Sequence, residues 1–237
     1  MFIGHFAVAY ASKRVAPRPS LGWTFAAAQF ADLLWPILVL AGVEHFRVQP
    51  GDTAFTPLSF DYYPWSHSLV MDCVWGVLLG GLYFVFRRDR SGAIAIGLLV
   101  VSHWVLDWIT HRPDMPFAPG LETRVGLGLW NSVAGTIVVE VGMFLAADWM
   151  YLRATRANDK IGSIGAWMLG GFLLAVYIGN IIAPLPNDPR AVAWGALPMW
   201  ILIPVAAWID RHRQPSVQPP TPANVNRQTS QPSTRRM

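Results

Sequence analysis

A chain of 237 residues that is 53% hydrophobic and only 14% charged is too poor in charge for an ordinary soluble domain, where about a quarter of residues are charged. A mean hydropathy of +0.35, with 12 Trp and 20 Gly, fits a helical membrane protein of one domain, since interfacial Trp and helical Gly are common there. The net charge of +4 comes from loops and tail without aromatic interleaving, which argues against a nucleic-acid partner, and the single Cys73 excludes an intramolecular disulfide and a Cys-based zinc site.

Residues 1–10 are apolar except for His5, and Lys13, Arg14 and Arg18 follow. A secretory signal has the reverse charge order. The segment is also too short to cross a bilayer. It is expected to stay in the mature chain as a short interfacial or re-entrant helix.

The first expected span is 23–43, with Asp32 near its middle and Pro36 four residues later. Proline has no N–H, so the Asp32 carbonyl loses its helical partner and a polar notch forms in an apolar helix. Asp32 is then either a ligand or a carboxylate bonded to a neighbouring helix. Residues 44–66 read as a long loop without structure, either a lid or a packed connector. This loop delivers Tyr63-Pro64-Trp65-Ser66-His67-Ser68 to a second span, 69–86. Asp72, five residues beyond His67, is about 140° round the helix and is expected to face elsewhere. Gly76 and Gly80 form a small-xxx-small pair suited to close helix packing.

The third span, 91–111, carries Ser102-His103-Trp104-Val105-Leu106-Asp107, with His111 four residues further on. At 3.6 residues per turn, positions 103, 107 and 111 drift by only about 80° and share one face. Ionisable groups inside a spanning segment are expensive and imply function. The bland alternative is a polar helix end capped by His111. A Pro-rich loop, 112–126, precedes span four, 127–150, which contains Asn131 and Glu140. Spans five and six are expected at 164–183 and 191–209, and residues 213–237 read as a disordered cytoplasmic tail on a transmembrane domain of residues 1–212.

Lys and Arg cluster before span one, between two and three, between four and five, and after six. That alternation predicts six spans with both termini cytoplasmic.

Imidazoles and carboxylates without a thiolate suit zinc, or else manganese or iron. A divalent ion there acidifies water for hydrolysis. Asp72, His111 and Glu140 are candidates for general acid–base work or for orienting a ligand.

The early Gly4-His5-Phe6, the Ala31-Asp32-Leu33 element, Ser66-His67-Ser68-Leu69 and Ser102-His103-Trp104-Val105-Leu106-Asp107 resemble the YdjM-like membrane-bound metal-dependent hydrolases, themselves likened to zinc-dependent phospholipase C. The resemblance covers about residues 1–115. It implies a metal site at His5, Asp32, His67, His103 and Asp107, and a hydrolase activity. The expected partners are therefore the lipid bilayer and a lipid or lipid-linked substrate, with hydrolysis of an ester or phosphodiester. A proton- or ion-coupled transporter using the same groups and a non-catalytic membrane scaffold are the competing readings. The sequence sets no oligomeric state.

Overall fold

The computed structural model describes residues 1–216. The chain is an all-α membrane bundle, and the described residues include five helices long and apolar enough to cross a bilayer, or six if a bent helix pair counts as one span.

The first helix, α1 (Ile3–Ser12), is not interfacial. Ile3, His5, Phe6 and Tyr10 are all buried. A helix that is apolar all round belongs in a core. Phe6 and Tyr10 meet Phe25 edge-on at 4.8 and 5.1 Å, and Tyr10 also reaches Phe144 at 6.0 Å. Lys13, read from sequence as a flank, is buried too. Its Nζ donates to the Pro17 and Pro19 carbonyls and to Asp210 Oδ2 at 3.0, 2.6 and 3.0 Å.

Helix α2 (Leu21–Ala28) opens on a Ser20 cap and α3 (Phe30–Leu40) follows it at a 55° bend. The expected single span 23–43 is therefore broken, at Gln29, and Pro36 lies inside α3. The break lets each half find its own partners, α2 on the bundle core and α3 on the other side of the site.

The 44–66 segment is not structureless. Strands β1 (His45–Val48) and β2 (Leu58–Tyr62) pair antiparallel, with Phe46 opposite Phe60. Arg47 grips Asp61 through two bonds of 2.8 and 2.7 Å, which hold the Asp61 carboxyl below its ordinary range. A single turn, α4 (Pro64–His67), leads into α5 (Leu69–Arg87), whose N-cap is Ser68.

Helix α6 (Arg90–Thr110) returns against α5. A Cβ on Gly76 would sit 2.7 Å from the Gly97 carbonyl, and one on Gly80 would sit 2.7 Å from that of Ala93. The glycine pair thus sets a close approach. Asp72 lies with Gly76, Gly80 and Tyr83 on the buried stripe of α5.

Short strands β3 (Met115–Pro116) and β4 (Arg124–Val125) and a 3-10 turn (Leu129–Asn131) precede α7 (Val133–Ala154). Helix α7 starts six residues after the expected 127 because Ser132 caps it by accepting from the Gly135 N–H. Strand β5 (Thr155–Ala157) leads to α8 (Lys160–Ile182), capped by Asp159. Helices α9 (Pro189–Ala196) and α10 (Met199–Arg211) form one span.

Strand β6 (Arg213–Pro215) pairs with β5, so the tail does not begin at residue 213. Arg213 holds it there, donating to Thr155 Oγ1 at 2.8 Å and to the Gly162 carbonyl at 2.6 Å. The remainder of the expected tail, 217–237, lies outside the described residues.

Two predictions follow from this packing. Gly76→Val should destabilise the bundle by about 1–3 kcal/mol, the usual cost of overpacking, read as a lower thermal midpoint in detergent. Arg90 and Pro119 flank α6 at its two ends. Reporter fusions at these positions should give signals on opposite sides of the membrane, and same-side signals would refute the six-span reading.

Candidate metal centre

Helix α6 supplies the centre's spine. His103 and Asp107 are one turn apart and both buried, and the His111 N–H closes the helix on the Asp107 carbonyl at 2.7 Å. His103 Nε2 lies 3.3 Å from Asp107 Oδ2, and His111 Nε2 lies 3.8 Å from the same oxygen. From α4, His67 Nε2 comes within 3.8 Å of Asp107 Oδ2 and 3.4 Å of Asp32 Oδ1. Asp32, in the first turn of α3, is also 3.8 Å from His103 Nε2. A carboxylate is favoured at a helix N-terminus.

From α1, His5 stacks on His103 at 3.7 Å and places its Nε2 3.1 Å from Asp107 Oδ1. The Met1 amino group donates to that same oxygen. The structure thus brings together all of His5, Asp32, His67, His103 and Asp107. They form two overlapping triads, His5–His103–Asp107 and Asp32–His67–His103. These buried groups can hold a metal ion.

The outer nitrogens explain the orientation of the rings. His103 Nδ1 is 2.8 Å from the Ala28 carbonyl, an obligate acceptor. Ala28 ends α2, and the last carbonyls of a helix have no partner within it. The bend at Gln29 thus provides the acceptor. His67 Nδ1 is 2.7 Å from Ser66 Oγ, which donates to Glu44 Oε2 at 2.6 Å. His111 Nδ1 is 3.0 Å from Asp114 Oδ1. Each Nδ1 donates, assigned from its partner, so a neutral ring turns its Nε2 lone pair toward the Asp107 and Asp32 carboxylates.

Lone pairs facing carboxylates repel unless a positive charge sits among them. His103 Nε2 is buried and makes no hydrogen bond. The donor set and this orphaned nitrogen fit a divalent cation, with the backing acceptors in the usual place for metal-binding imidazoles.

Of the candidate acid–base residues, His111 is at the centre. It is braced by Trp130 at 4.2 Å and Phe60 at 5.0 Å between ring centroids. Glu140 lies beside the centre, but its Oε2 accepts from the Phe2 and Gly4 N–H groups at 2.9 and 3.4 Å, tying down the start of α1. Asp72 is buried without a hydrogen-bond partner for either oxygen, and it does not line the cavity that adjoins the centre.

Sequence reading missed Glu44, Asp114, Tyr63 and the Ala28 carbonyl. Asp114 stands three residues from His111, a spacing that could have exposed it. Glu44 has no such signal, because it joins Ser66 only across the hairpin. Burial raises the Glu44 carboxyl above its ordinary range, opposed by the Ser66 hydroxyl and the N–H groups of Ser66 and Trp65.

The chain matches no protein-family model, no curated protein and no solved structure.

Removing one backing acceptor tests the centre. Ser66→Ala should leave helicity unchanged and weaken zinc binding by about 10–100-fold, the usual loss when such a partner goes. Competition with a chromogenic chelator reads it directly.

Proposed function

We propose that this chain is a membrane-embedded metal-dependent hydrolase acting on a lipid or lipid-linked ester or phosphodiester. The observation that carries the reading is the convergence of three tautomer-fixed imidazoles, His67, His103 and His111, on the Asp107 carboxylate inside a membrane bundle. The likeness of the His and Asp elements to YdjM-like hydrolases supports it. Zinc suits nitrogen and oxygen donors at this number, and manganese and iron are the alternatives.

Asp32, His67, His103 and Asp107 would hold the ion, with His5 completing the set. When bound, it polarises the scissile carbonyl or phosphoryl oxygen and acidifies water near neutral pH. His111 is placed to move the proton. Its Nδ1 is fixed on Asp114, and its Nε2 faces the centre and the adjoining cavity. That nitrogen takes the proton of the attacking water and returns it to the leaving oxygen. Asp32, with 23% of its side chain exposed against 3% for Asp107, marks the side from which substrate approaches. Glu140 and Asp72 have no role in these steps. We place the protein in the bacterial inner membrane, with loops 44–66 and 112–126 on the non-cytoplasmic face, following the Arg and Lys bias.

One feature favours a transporter instead. The α2–α3 span is broken next to Asp32, and broken helices line ion sites in secondary transporters. Ion-coupled uptake into proteoliposomes would select that reading.

The test is metal content and ester or phosphodiester turnover of the purified protein. Asp107→Asn and His103→Ala should each lose bound metal and at least about 10–100-fold of activity. Asp61→Asn, on the exposed hairpin, should behave as wild type. A wild type that stays metal-free in excess zinc and manganese, with both variants well folded, would defeat the proposal.

A further inference from the structure

The cavity beside the centre is far larger than a metal site requires. It measures about 670 Å³ and begins at Asp32, His67, Asp107 and His111. Its far wall is apolar, formed by Phe172, Leu173 and Val176 of α8, Gly195 of α9, and Ile201 and Leu202 of α10. Leu173 is fully buried, whereas Phe172 and Ile201 are 54% and 62% exposed.

Depth decides what this opening serves. Phe172 lies about halfway along α8, and Ile201 about halfway along the joined span Pro189–Arg211. A rim at that level meets neither aqueous face. It meets the middle of a hydrocarbon layer about 30 Å thick. A small water-soluble substrate has no use for such a route.

We propose that this trench binds one long hydrocarbon chain of the substrate, which enters sideways from the bilayer between α8 and α9–α10. The chain lies along Val176 and Leu202, and its polar group is drawn to the Asp32 end. That the chain belongs to a substrate, and that last direction, rest on the hydrolase reading. Lipid tails are as apolar as leucine, so moving a chain from bilayer to trench changes little apolar exposure. The trench therefore selects and aligns by shape, and affinity comes from the polar end.

Gly195 offers a clean obstruction. A Cβ added at this cavity-lining position meets no atom within 4 Å, so a side chain there starts in open space. The experiment uses the full chain in phosphatidylcholine nanodiscs with a trace of palmitoyl ester carrying a diazirine at the chain end. Photolysis followed by peptide mass spectrometry maps the adducts. Leu202 is the diagnostic site, because it lines the trench and is less exposed than the rim residues Phe172 and Ile201. Leu78 of α5, 56% exposed, reports bulk lipid.

The expected result is labelling of Leu202 in the wild type, reduced about tenfold in Gly195→Trp with Leu78 unchanged, a size of effect that one hydrophobic pocket contact can produce. Turnover of p-nitrophenyl palmitate should fall with it, and by more than that of p-nitrophenyl butyrate. Gly195→Leu serves if the larger plug disturbs folding. An unlabelled Leu202 in the wild type, or labelling that both plugs leave untouched, overturns the trench and leaves the hydrolase reading standing. Labelling of Leu202 that the plugs abolish, in a protein that hydrolyses neither ester, upholds the trench and removes the carboxylic-ester form of the hydrolase reading.

Discussion

Everything near the centre is arranged around one buried carboxylate. Asp107 accepts the Met1 amino group and lies 3.1 Å from His5, with His103, His67 and His111 within 3.3–3.8 Å. An isolated carboxylate inside a spanning helix is costly, and such groups persist only when paired. The groups around it come from α1, α4 and α6, with the Met1 amino group donating to it, so accommodating this one charge fixes the relative placement of several segments.

The rings are set from behind as well as in front. A carbonyl at the end of α2, a serine backed by Glu44, and Asp114 each take one imidazole N–H. Arg112 ties this ring of acceptors to the β1–β2 hairpin. It bridges Asp52 at 2.7 Å and Asp114 at 3.1 Å, and it donates to Ser59 Oγ at 3.0 Å. The hairpin therefore also steadies His111 through Asp114. Rigid backing of this kind is what keeps the imidazole lone pairs aimed inward.

Much of this was legible. The i, i+4 spacing of His103 and Asp107 put both on one helix face, and Ser66-His67-Ser68 marked a second entry point. Local periodicity also placed the spanning helices, apart from the broken first. Charge was a weak guide to where α1 sits. Lys13 reads as a solvated flank, so its charge puts α1 at a surface, yet its ammonium is buried on Asp210 and two carbonyls. His5 then reaches the centre by a route that charge counting argues against. The break at Gln29 had no warning either, because neither Gly nor Pro stands there and Pro36 draws attention downstream. Glu44 was hidden for a different reason. Its partnership depends on the β1–β2 pairing, and 44–66 shows no alternation strong enough to announce strands.

The seating of α1 has a consequence for how the protein comes to be made. This helix has ten residues, too few to hold a transmembrane position alone. Its bonding partners lie far along the chain, 102 positions from His5 to Asp107 and 138 from Phe2 to Glu140. During synthesis, α6 and α7 are still unmade when α1 leaves the ribosome. The segment therefore waits at the membrane surface until the bundle has a cleft to receive it. Docking of α1 is thus among the later steps of assembly, and it brings His5 to the centre. Such an order leaves the His5–His103–Asp107 triad incomplete until α1 is seated.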